Sequence, residues 1–202
     1  MGRGARIGFI ILAALIAWGA VAFKPPSWVY LAAFAVIFLF YANTFTERVP
    51  LYLTNRTTWA ALAQMLDEHT AREPGKRPSF IDLGCGLGGT VAYLARAKPD
   101  WDVFGVETAP GAYLIAKART AFVANAHVRY QSLWKAKLAR FDVAYAFLSP
   151  APMPRLHAKA GSEMRPGALF VSNSFWADDQ PFDGVVEVND ARATRLVFLK
   201  IK

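Results

Sequence analysis

Apolar positions follow three rhythms along this chain. Residues 7–23 and 28–42 are unbroken uncharged runs of seventeen and fifteen residues, parted by Lys24-Pro25-Pro26-Ser27. From Thr57 the spacing turns helical: Trp59, Leu62, Ala63 and Leu66 recur every three or four positions, and Glu73 to Pro78 ends that helix in an exposed loop. Beyond it, short apolar strands alternate with amphipathic helices. Phe80–Leu83, Val103–Glu107, His127–Tyr130, Phe141–Leu148 and the stretch running to Val171 after Arg165-Pro166-Gly167 read as five strands. Residues 88–97, Gly111–Ala124 (with Leu114, Ile115, Ala118 and Phe122 on its apolar side) and Pro154–Met164 read as helices between them. Ten residues part Asn173 from Gly184, so any helix there is very short or absent, and Val185–Val188 with Arg195–Ile201 alternate as a closing hairpin. Strands alternating with helices predict an α/β domain on a mainly parallel sheet.

The two N-terminal runs stand apart in composition. Residues 1–43 hold Arg3, Arg6 and Lys24 and no acidic residue. At about 1.5 Å per residue, seventeen residues reach roughly 25 Å, so snorkelling basic flanks and the interfacial rings of Trp28, Tyr30 and Tyr41 would complete a span. The runs predict a transmembrane hairpin of two short helices, residues 1–43, ahead of a domain of residues 44–202. Two other readings stand beside it: a signal peptide cleaved after Ala20-Val21-Ala22, and a helical hairpin packed on the domain. In the first two readings the excess of Arg3, Arg6, Arg48 and Arg56 over Lys24 places the domain on the cytoplasmic side of the membrane.

The chemistry concentrates at residues 80–90, Phe-Ile-Asp-Leu-Gly-Cys-Gly-Leu-Gly-Gly-Thr. A strand, a glycine turn and a helix bring bare backbone up to a nucleoside cofactor, because any Cβ would block close approach. Asp82 decides which cofactor. A carboxylate two residues before Gly84 repels a pyrophosphate but suits a ligand with no phosphate and a cationic amino acid end, such as S-adenosylmethionine (SAM). On Asp82-Leu83-Gly84-Cys85-Gly86-Leu87-Gly88 the chain resembles the class I SAM-dependent methyltransferases. The resemblance implies a Rossmann-like seven-stranded sheet and SAM as cofactor. Glu107, ending the second strand 21 residues past Gly86, stands where an acid meets the ribose hydroxyls.

Carried over residue by residue, the resemblance implies a cofactor site of Asp82, Gly84, Cys85, Gly86, Gly88 and Glu107. Gln131 or Ser132 would meet the adenine, and the carbonyls of Leu148 and Ser149 would border the transferred methyl. Tyr145, Ser149 and Trp176 are the candidates for the acceptor pocket, with Ser174-Phe175-Trp176 as an aromatic lip over it. Asn55, Arg56 and Thr57 either line the substrate mouth or cap the first helix. In layout the chain is similar to the small membrane-anchored protein-lysine methyltransferases that modify the ATP synthase c subunit and the adenine nucleotide carrier. The shared features are the initial helix, the glycine turn, Leu133-Trp134-Lys135 and the Pro150–Pro154 loop. That family carries an acid and an arginine in the turn where Leu87 and Gly89 stand here. The implied acceptor lies at or in the membrane: a protein lysine, or a lipid or quinone-like molecule. A non-catalytic interaction module is the reading from another class.

Charge and cysteine content narrow this further. The net charge of +8 suits an anionic membrane surface or an acidic partner, and nucleic acid ranks lower because no basic stripe interleaves with aromatics. With one cysteine, Cys85, there is no internal disulfide and no zinc pattern. Cys85 reads as a small packing residue, and His69, His127 and His157 as structural or exposed.

Overall fold

The computed structural model describes residues 25–41, 52–70, 75–177 and 179–202. The chain divides near residue 38 into two units, each taken here on its own. In the first, helix α1 (Ser27–Tyr41) follows the Pro25-Pro26 step. Trp28, Tyr30, Leu31, Phe34 and Phe38 point to several sides of it and all are exposed. Its fifteen residues reach about 22 Å, and no described helix is long and apolar enough to cross a membrane. The first run of the expected hairpin, residues 7–23, lies outside the described residues.

The second unit starts with α2 (Arg56–His69), capped by Asn55, whose Oδ1 accepts the Thr58 amide at 2.8 Å. Capping is therefore the structural role of Asn55. The sheet comprises β1 (Ser79–Leu83), β2 (Asp102–Glu107), β3 (Ala126–Tyr130), β4 (Val143–Ala146), β5 (Leu169–Asn173), β6 (Gly184–Glu187) and β7 (Arg195–Lys200), in the order β3-β2-β1-β4-β5-β7-β6. β1 to β5 pair in parallel, and β7 runs antiparallel between β5 and β6. The alternation of each strand feeds two cores. Phe80, Val103, Tyr145 and Val171 pack beneath α2 and α3 (Gly89–Ala97), with Ala116 of α4 (Pro110–Thr120) in the same core. Ile81, Leu83, Ala144 and Phe170 pack against Leu156 and Ala160 of α5 (Met153–Glu163) on the other face. Sheets covered on both sides need this near-continuous apolar character.

Three local expectations change. The Phe141–Leu148 strand contracts to Val143–Ala146, because Phe141 closes a 3-10 turn at Leu138–Arg140. The helix expected at Gly111–Ala124 ends at Thr120, whose hydroxyl bonds back to the Ala116 carbonyl at 2.9 Å. Its burial is also reversed. Gly111, Ala112, Ala116 and Thr120 face inward, while Leu114 and Ile115 are exposed and Phe122 beyond the end is fully exposed. The reason is distance. A Cβ on Gly88 would lie 2.8 Å from the Ala116 Cβ, so α4 approaches the glycine turn too closely for large side chains.

Candidate active site

The turn after β1 needs its glycines. Gly84, Gly86 and Gly88 have φ of +88°, +53° and +71°, the left-handed region that L side chains enter only at a cost. The amides of Gly84 and Cys85 both donate to the Val106 carbonyl, at 3.0 and 2.9 Å. Gly86 N donates to Glu107 Oε2 at 2.8 Å, while Glu107 Oε1 accepts the amides of Thr108 and Ala109, each at 2.8 Å. The acid that ends β2 is thus clamped beside the turn. Cys85 packs onto β2: a Cβ on Gly105 would stand 2.9 Å from its Sγ. Burial, then the charges of Asp82 and Glu107, push its thiol well up, so it is a packing group and not a nucleophile.

Above the turn lies a cavity of about 170 Å³, lined by Asp82, Tyr145, Thr90, Trp59, Tyr52 and Phe147 among others. Asp82 is 3% exposed. Burial first, and the Glu107 charge second, push its carboxyl up to about 8 against the opposing Thr90 hydrogen bond. A relay of polar groups leads to it. Trp59 Nε1 donates to Thr54 Oγ1 at 2.6 Å, Thr54 and Thr90 hydroxyls share a bond at 3.3 Å, and Thr90 reaches Asp82. A buried acid held protonated, over backbone that only glycine tolerates, fits a phosphate-free nucleoside ligand with a cationic end, which would bring the counter-charge that Asp82 lacks.

The expected site residues separate into groups. Asp82, Gly84, Cys85 and Tyr145 line this cavity. Gly88 serves the contact with Ala116. Leu148 packs behind Gly84, whose Cβ would lie 3.0 Å from Leu148 Cδ2. Ser149 is buried just past β4 and does not line the cavity. Ser132 caps a 3-10 turn by accepting the Trp134 amide at 3.3 Å, and Gln131 lines a different cavity. Trp176 is the correction. Its ring packs edge-on to His157 at 4.0 Å in the α5 core, and its Nε1 donates to the Gln180 carbonyl at 3.0 Å. Of the expected lip, Phe175 does stand at the cavity, its ring 5.8 Å from Tyr52 and 6.5 Å from Phe147. His157 is buried, and that burial, against the opposing Asp179 charge, holds its imidazole below the ordinary value.

Three contributors lay beyond the sequence pattern. Tyr52 stacks on Phe147 at 5.0 Å, forming the aromatic wall. Arg119 of α4 fills the room beside Gly89: a Cβ there would meet Trp59 Cζ2 at 2.5 Å and Arg119 Nη1 at 3.3 Å. The turn between β6 and β7 latches the cavity wall. Asn55 Nδ2 donates to Asp190 Oδ2 at 2.7 Å, and Arg192 Nη1 donates to the Leu53 carbonyl at 2.7 Å. Asp190→Ala is expected to speed amide hydrogen exchange of residues 53–58 by roughly tenfold, leaving β1 and β4 protected. Equal protection of 53–58 in both proteins would show that Asp190 is no latch.

A family model described as the ANTKMT methyltransferase domain matches residues 82–182, half of the chain. Over 53 residues the chain is 43% identical to a trans-aconitate 2-methyltransferase of Methylobacterium radiotolerans, covering 26% of this chain and 20% of that protein. The chain therefore spans about a fifth of the curated relative it matches. Among solved structures, an RNA methyltransferase from Salinibacter ruber in complex with S-adenosyl-L-homocysteine superposes with a TM-score of 0.62. It is 22% identical, over 74% of this chain and 94% of that one. A precorrin-6y C5,15-methyltransferase from Geobacter metallireducens superposes with a TM-score of 0.60 at 12% identity, over 74% and 90% of the two chains. These likenesses show the fold.

Proposed function

The chain belongs to the ANTKMT methyltransferase domain family, and from that premise we propose that it transfers a methyl group from SAM to an acceptor amine at or in the membrane. Its fold and glycine turn are those of the class I SAM-dependent methyltransferases. The observation that carries the reading is the buried Asp82 carboxyl, over positive-φ glycines, at the base of a cavity walled by Tyr52 and Phe147.

SAM, when bound, supplies an electrophilic methyl on a sulfonium. Gly84 and Gly86 present bare backbone to the nucleoside part, and Asp82 ionises to hold the ammonium end. Arg119 lines the same cavity and is the cation for the carboxylate end. Glu107, Gln131 and Ser132 are the proposed partners of ribose and adenine. At the acceptor end the wall of Tyr52, Phe147 and Phe175 excludes water and sheathes an alkyl stem. Tyr145 positions the nucleophile. Its buried hydroxyl oxygen accepts Asn173 Nδ2 at 3.0 Å, and its second lone pair can accept an N–H of a neutral amine, turning the amine's own lone pair toward the methyl. Burial and the Asp82 charge push the Tyr145 phenol up, so it stays protonated and removes no proton itself. The amine reaches the site already neutral.

An apolar helix such as α1, together with the uncharged run at 7–23, supports a membrane-anchored enzyme with its domain on the cytoplasmic side. The sheath favours a lysine side chain of a membrane protein as acceptor. The second reading, a lipid or quinone-like acceptor, shares the membrane source. Both are tested by incubating the full chain in detergent with methyl-tritiated SAM and membranes. Label in protein, as methyl-lysine, supports the first, label in the lipid extract supports the second, and no SAM binding at all promotes the non-catalytic module. Tyr145→Phe is expected to keep SAM affinity and to lower the methylation rate by roughly tenfold or more, the worth of one positioned hydrogen bond. An unchanged rate would remove Tyr145 from the mechanism.

A further inference from the structure

On the opposite face of the sheet from Asp82, α5 packs over β1, β4 and β5, and among the described residues no helix covers β2 and β3. The chain from β3 to β4 makes only two 3-10 turns, Leu133–Lys135 and Leu138–Arg140. The uncovered surface is a cavity of about 210 Å³, with Phe104 and Phe141 as its apolar wall and Arg129, Lys135, Lys137 and Arg140 around it. All four cations are exposed, and no acidic residue lines the cavity. None of them enters an ion pair among the described residues. Clustered like charges repel one another, so the arrangement costs free energy until an anion arrives.

The guanidinium groups are also pre-positioned. Arg129 and Arg140 lie over the Phe104 ring at 5.7 and 4.9 Å, and Arg140 lies over Phe141 at 4.9 Å. These cation–π contacts hold both guanidinium groups at the cavity and leave their N–H groups unspent, which lowers the ordering cost of a bidentate contact. Arginine forks match phosphate oxygens, and the two lysines add point charges. The rings offer an apolar surface for a short carbon stem. A concave site of this size holds one phosphate with a few carbons and not a run of nucleotides.

We infer that this cavity binds the phosphate group of a small phosphate ester, either a phospholipid headgroup or a soluble phosphate. Gln131, a proposed adenine partner, stands at its edge, while Arg129 and Arg140 line this cavity and not the one at Asp82. Isothermal titration of the full chain in non-ionic detergent tests it with three probes: glycerol 3-phosphate, dihexanoyl phosphatidic acid and a single-stranded RNA oligonucleotide. Glycerol 3-phosphate is expected to bind, and the double variant Arg129→Gln, Arg140→Gln to weaken it by at least about tenfold with SAM affinity unchanged. Phosphatidic acid binding about tenfold tighter than glycerol 3-phosphate identifies a lipid source, and equal affinity identifies a soluble ester. Thermal unfolding of the double variant at the wild-type temperature verifies its fold. Failure of both phosphate esters to bind overturns the inference. So does equal binding by wild type and the folded variant, or RNA binding that displaces glycerol 3-phosphate from a tighter site.

Discussion

Asp82→Asn should weaken cofactor binding and at the same time make the domain harder to melt. The two effects share one cause. The carboxyl is buried, and burial with the Glu107 charge lifts it to about 8 from an ordinary value of 3.8. Between those values the unfolded chain has lost the proton that the folded chain keeps. Stability contributed at this position is therefore present at acid pH and declines as pH rises toward about 8, then stays flat. At about 1.4 kcal/mol per unit the decline is on the order of several kcal/mol. Asparagine has the same shape and no charge, so the variant should escape that decline. A gain of about 2 kcal/mol at pH 8 would raise Tm by roughly 4–8 °C, with little gain at pH 4. Binding should fall by about ten- to a hundredfold, since an ammonium loses its charged acceptor. For the wild type, a cationic ligand drives Asp82 to ionise, so SAM affinity should rise from pH 6 toward 8. Near pH 7 binding should also release close to one proton, measurable by calorimetry in two buffers of different ionisation enthalpy. A melting temperature independent of pH in both proteins, or binding without proton release, would contradict this account.

Gly88→Val should cost the fold itself. Gly88 sits at φ +71°, and its added Cβ would lie 2.8 Å from the Ala116 Cβ and 2.9 Å from the Ala116 Cα. Backbone cannot swing aside as a side-chain tip can. A β-branched residue adds dihedral strain of about 1–2 kcal/mol, and overpacking adds about 1–3 kcal/mol. The sum, about 2–5 kcal/mol, is a large share of a domain's stability. Gly75 is the internal control. Its φ is +79°, yet an added Cβ meets nothing within 4 Å, so Gly75→Val should lose only the dihedral part. Similar melting temperatures for the two variants would refute close packing as the reason for Gly88.

The strand and turn at residues 79–88 were legible because local sequence encodes them: a buried strand, then glycines at the positive-φ positions. Glu107 was legible for the same reason, since one crossover fixes its distance from the turn and the Gly86 amide meets it across 21 residues. Trp176 was misplaced by a single step of the chain. After β5, Ser174 takes a φ of +65°, and Phe175 reaches the lip while Trp176 turns to His157. Composition carries no trace of that choice. α4 misled more deeply, because its apolar spacing is real but its small residues face the core. Periodicity marks an amphipathic helix without saying which side a close-packed neighbour demands. Tyr52, Arg119 and Asp190 escaped because each reaches the cavity from an element that no local motif ties to it.

The latch at Asp190 also has a consequence for how the protein is made. Its bond to Asn55 joins residues 135 apart in the chain. During synthesis the glycine turn and β1 to β5 leave the ribosome first, and the wall at residues 52–55, already held by Trp59, Thr90 and Phe147, gains its bonds to Asp190 and Arg192 only when the last hairpin follows. Contacts this distant form late, because the loop they close must first be gathered. A chain stalled before residue 190 would carry the whole glycine turn and still lack a latched cavity wall. The fully latched cavity thus waits until translation has reached the hairpin, and cofactor capture by nascent chains should strengthen there.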